Sequence, residues 1–122
     1  MIRTAITVFL LLQSALYAKT ETSYEIGKNL YYANGCANCH GTNAEGSSYY
    51  PKLSNKKRDF LTKKLEDFKK GIAQTQKQEI MFTFAKPLTQ ADIKNITYFL
   101  AHFKKEDSRK YDVEEDLLGV DY

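Results

Sequence analysis

Cys36-Ala37-Asn38-Cys39-His40 is the stretch on which the reading of this chain turns. Two cysteines separated by two residues, with histidine directly after the second, form the C-x-x-C-H pattern of c-type haem attachment. The chemistry accounts for the spacing. Thiols one helical turn apart can each add to a vinyl group of one porphyrin, and the adjacent imidazole then reaches the iron as proximal ligand. A C-x-x-C pair also suits a redox dithiol, half of a zinc site or a short disulfide. The chain has no second Cys pair and no thioredoxin-like βαβ pattern, which favours haem over the first two.

Around this motif the sequence reads as helices. Glu25 to Ala33 places Ile26, Leu30 and Ala33 on one helical face, and Phe60 to Lys70 does the same with Leu61, Leu65 and Phe68. Gly71 stands where a helix C-cap is expected. Thr89-Gln90-Ala91-Asp92 has the form of a capping box, opening a helix whose stripe is Ile93, Ile96, Leu100 and Phe103. A Gly-, Ser-, Asn- and Tyr-rich loop, residues 41–55, separates the first two helices. Residues 19–105 contain no Val and no alternating run long enough for a strand. Their eleven Leu and Ile residues are few for a core of this size, and small domains often complete a core with a cofactor.

A second axial ligand has two candidates beyond the leader, because the only Met there is Met81 and the only further His is His102. His102 falls opposite the apolar stripe of the last helix and reads as a surface residue. Met81 sits in Ile80-Met81-Phe82-Thr83-Phe84-Ala85, between two helices, where a loop folding over the second haem face would present its sulfur. Its bland role is that of a core filler. With haem already placed, Met81 is the preferred ligand.

The termini differ from the middle. Arg3, the apolar run Ala5 to Leu12 and the small residues Ala15 and Ala18 have the layout of a secretory signal peptide, residues 1–18. The run is too short for the roughly 20 residues that cross a bilayer, so the chain is expected to be exported without stable membrane insertion. Residues 19–105 carry 15 basic and 8 acidic side chains, a balance of +7, whereas residues 106–122 carry two and seven, a balance of −5. This predicts a domain over 19–105 and an acidic, disordered tail over 106–122. The whole-chain charge of +3 is too mild for a nucleic-acid binder.

From Glu25 to Lys105 the chain resembles a single-haem class I cytochrome c of the small bacterial periplasmic kind. The resemblance rests on Gly27, Leu30-Tyr31, Cys36 to Gly41, Tyr50-Pro51-Lys52-Leu53, the helix ending at Gly71, and Met81 eight residues before Thr89. It implies an all-α fold in which the N- and C-terminal helices cross and enclose haem c. It also implies that Gly27 is the point of closest approach, against the Tyr98 to Leu100 region. Pro51, eleven residues after His40, is implied to offer its carbonyl to the second ring nitrogen of the proximal His.

His40 and Met81 as axial ligands would leave no position for substrate, which predicts a one-electron carrier and no enzyme. The resemblance implies a periplasmic respiratory chain, with electrons passing from a quinol-oxidising complex to a terminal oxidase or peroxidase. Lys52, Lys56, Lys57, Arg58, Lys63, Lys64, Lys69 and Lys70 crowd one stretch and could guide such partners, or form an ordinary solvated face. A ligand-binding or peroxidatic haem protein with an open distal site is the alternative. A haem-free structural protein is a further one, and it would be colourless.

Overall fold

The structure is a computed structural model that describes residues 20–105. The expected signal peptide, residues 1–18, and acidic tail, residues 106–122, lie outside the described residues. Among the described residues five helices and one 3₁₀ turn make up the order: α1 Ser23–Ala33, α2 Cys36–His40, α3 Arg58–Lys69, the turn Gln76–Ile80, α4 Met81–Ala85 and α5 Gln90–Ala101. There is no strand among the described residues, so the fold is all-α.

Helix α1 begins two residues before the expected Glu25. Thr22 caps it, accepting from the Glu25 backbone N–H at 3.3 Å while the Glu25 carboxylate accepts from the Thr22 N–H at 3.2 Å. Those exchanged bonds satisfy two of the donors that a helix start leaves open. The Thr89–Asp92 box read from sequence does the same for α5, at 3.1 and 2.8 Å. At the end of α3 the cap is Lys70, not Gly71. Gly71, at φ 76°, is one residue further, and its N–H donates to Phe68 O while that of Ile72 donates to Asp67 O. This pair of bonds is a Schellman ending.

The core lies where α1 packs on α5, with Tyr31, Ile93, Thr97 and Phe99 fully enclosed and Leu61 of α3 added from the side. Gly27 is buried at the crossing. A Cβ there would overlap the Asn95 carbonyl and lie 2.9 Å from the Phe99 Cβ, so only glycine fits. The contact includes Phe99, within the expected Tyr98 to Leu100 region, and extends one turn earlier on α5 to Asn95. The Thr62 hydroxyl donates to that of Thr97 at 3.3 Å, and Thr97 in turn donates to Ile93 O at 2.7 Å, tying α3 to α5.

The expected loop around Met81 is instead two short helical pieces, the turn Gln76–Ile80 and α4, which begins at Met81 itself. Pieces of five residues are too short to be stable alone. Phe82 of α4 lies 6.4 Å, centroid to centroid, from Phe68 of α3, and the Lys69 ammonium donates to the carbonyls of Lys86 and Leu88. Tertiary contacts of this kind hold the segment in place.

Candidate haem site

The short helix α2 carries Cys36, Cys39 and His40 on consecutive turns, directly after the Asn34-Gly35 end of α1. Both thiols are free, Cys36 half-buried and Cys39 exposed. Burial pushes the Cys36 thiol up to about 11, so it is neutral at physiological pH. His40 is buried, and its Nδ1 lies 2.9 Å from the Pro51 carbonyl. A carbonyl only accepts, so Nδ1 is the donor, and in that tautomer Nε2 is the nitrogen whose lone pair can meet a metal.

The intervening loop explains how Pro51 arrives there. Gly46 donates its N–H to His40 O at 2.8 Å, and the Ala44 carbonyl accepts from both Leu53 and Ser54. A Cβ on Gly46, at φ 67°, would fall 2.5 to 2.6 Å from backbone atoms of Tyr50, Pro51 and Lys52. The missing side chain lets that strand of loop lie against the α2 exit. Two tyrosines of α1 brace the same exit, Tyr31 donating to Gly41 O at 2.7 Å and Tyr32 to Thr42 O at 2.5 Å. Burial raises the Tyr31 phenol far above its ordinary range, so it remains a donor at any physiological pH.

The structure therefore brings Cys36, Cys39, His40 and Pro51 together. Met81 is not among them, but the turn before it is tied to the same loop. Tyr50 packs edge-on to the His40 ring at 6.2 Å and to Tyr49 at 4.9 Å. Lys77 of the turn before Met81 sets its ammonium 3.3 Å above the Tyr49 ring. His102 lies apart, exposed at the end of α5, stacked on Tyr98 with its Nδ1 2.9 Å from Tyr98 O. Tyr31 and Tyr50 were legible in the sequence only through the family resemblance, and Tyr49 and Lys77 not at all, since their contacts depend on the route of the loop.

Residues 24–104 match the family model for cytochrome c. The chain belongs to the cytochrome c family. It is 35% identical over 86 residues to cytochrome c-554(547) of Halothiobacillus neapolitanus, a match that covers 64% of this chain and 93% of that protein. It is 34% identical over 83 residues to cytochrome c4 of Azotobacter vinelandii, covering 66% of this chain and 40% of that one. These findings make it a class I c-type cytochrome, a haem-based electron carrier with haem c bound covalently through Cys36 and Cys39.

The residues present fit that group. The two thiols and the lone pair of His40 Nε2 supply the donor set, and the segment at Met81 supplies apolar surface: Ile80 and Phe84 are exposed, and Met81 and Phe82 are half-buried. Such surface suits a flat hydrophobic ring. No group of three His, Cys, Asp or Glu among the described residues could hold a bare metal ion, so a zinc site does not fit. No helix among them is long and apolar enough to cross a membrane.

Proposed function

We propose that this cytochrome shuttles single electrons in a periplasmic respiratory chain, with His40 and Met81 as the axial ligands of its haem and no catalytic reaction of its own. Haem c, when bound, supplies an iron that alternates between the ferrous and ferric states. Cys36 and Cys39 fix the ring to α2. His40 ligates through Nε2, and the Pro51 carbonyl holds the imidazole in one tautomer and orientation while raising its basicity. The His40–Pro51 bond of 2.9 Å is the observation that carries this reading, because it leaves Nε2 and not Nδ1 available.

Met81 is supported as the second ligand by its place at the start of α4 among apolar neighbours, and by the stacking of His102 away from the site. A neutral thioether in an apolar surround favours ferrous iron and raises the potential. Residues 1–18 as a signal peptide supply the export that a periplasmic carrier needs, and a quinol-oxidising complex and a terminal oxidase or peroxidase are the partners proposed from the family. The test is electron exchange with membranes of the source cell. Rapid reduction by quinol-fed membranes and reoxidation by the terminal oxidase are expected. A protein that binds carbon monoxide at once in its ferrous form, and consumes peroxide, would favour an open-site peroxidatic protein.

A further inference from the structure

Phe60 is an exposed aromatic, 52% accessible, on the first turn of α3. It lines a shallow hollow with Lys56 and Lys57, and the Lys64 ammonium stands 5.8 Å from its ring centroid. The other cations of this helix are engaged. Lys63 pairs with Asp67 at 2.7 Å, Lys69 donates to two carbonyls, and Arg58 donates to Lys94 O. Lys64 bonds only the neutral Gln74 amide, and Lys56 and Lys57 have no acidic partner among the described residues. Asp59 lines a different hollow, with Arg58 and Lys94. What remains around Phe60 is an apolar ring framed by three cations.

The chain itself contains a segment of matching chemistry. Asp112-Val113-Glu114-Glu115-Asp116-Leu117-Leu118 holds four carboxylates and three aliphatic side chains. Its point of departure is close by, because Asn55, next to Lys56, donates its N–H to Leu100 O at 2.8 Å. The entry to α3 therefore abuts the last turn of α5, from which the chain continues through Lys105. The six residues between Lys105 and Asp112 can span up to about 20 Å. We propose that this acidic segment docks in cis on the Lys56, Lys57, Phe60 and Lys64 face. The attraction is among exposed charges and so is weak and screened by salt. Docking engages seven residues, and the ordering of the whole tail, which its four aliphatic residues could not offset, is not required.

The test is a nitrogen–proton NMR comparison of the haem-loaded ferrous full chain with its Glu114→Lys/Glu115→Lys/Asp116→Lys variant, in low salt. The amide signals of Lys56 to Lys64 are expected to shift in the variant. Raising salt to about 0.5 M, where the screening length is only a few ångströms, should produce the same shift in the unsubstituted chain. Phe60→Ser should shrink the difference between chain and tail variant. Identical Lys56 to Lys64 signals in both proteins would overturn the proposal. Signals that move on dilution would overturn it too, since they would place the segment on a second copy.

Discussion

At His40 the structure bonds Nδ1 to the Pro51 carbonyl, which leaves Nε2 for the proposed ligation, and the consequences fall on single residues. Met81→Ala is expected to open the iron to small ligands and to lower the reduction potential, within the roughly 0.8 V that axial ligands control. His102→Ala should change neither, because that ring is exposed and stacked on Tyr98. Potentiometry with carbon monoxide titration checks both. Tyr31→Phe removes the donor to a Gly41 carbonyl that sits at the α2 exit, and should cost about 1–3 kcal/mol in denaturant unfolding. Cys36, Cys39 and His40 were legible because their chemistry is written in adjacent positions. Pro51 and the position of Tyr31 were legible only through the family, and the tyrosines' bracing bonds to Gly41 and Thr42 not at all, since a loop of fifteen residues carries no period that says where its backbone lands.

Helices were more legible than the pieces between them. The stripes of α1, α3 and α5 and the Thr89 box follow from spacing, which tertiary packing does not override. The Thr22–Glu25 box extends α1 two residues ahead of the expected Glu25, where the apolar stripe carries no signal. Around Met81 the five-residue pieces have no stripe long enough to announce them, and they exist through contacts with α3. The crossing of α1 and α5 gives the sharpest test at this scale. Gly27→Ala puts a methyl against the Asn95 carbonyl, and backbone there cannot rotate away. The expected loss is about 2 kcal/mol or more, which in a domain of this size lowers the melting temperature by roughly 10 °C. Asn29→Ala, on the exposed face of α1, should leave it nearly unchanged.

For the molecule as a whole, the enclosed core among the described residues centres on the α1–α5 crossing, with Ala44, Leu61 and Leu88 added, while Ile80, Met81, Phe82 and Phe84 lie open or half-open. The cofactor is therefore expected to complete the fold. Cys36→Ala/Cys39→Ala should give little compact protein, read by circular dichroism and gel filtration. Charge acts at the same scale. Ending the chain after Lys105 removes −5 and leaves a strongly basic domain. Electron transfer to an acidic partner should then speed up at low salt, and the gain should fade as ionic strength passes about 0.15 M, where screening acts within roughly 8 Å. Stopped-flow rates across a salt series check this, and equal rates at every salt would make the tail a passive extension.

The central claim is a haem c held by Cys36 and Cys39 and ligated on both sides by His40 and Met81. The most direct measurement is the absorption spectrum of the matured protein, oxidised and then reduced. The account predicts a low-spin, six-coordinate spectrum in both states, with the sharp visible bands of a c-type haem on reduction. A high-spin spectrum, or a colourless folded protein, would contradict it.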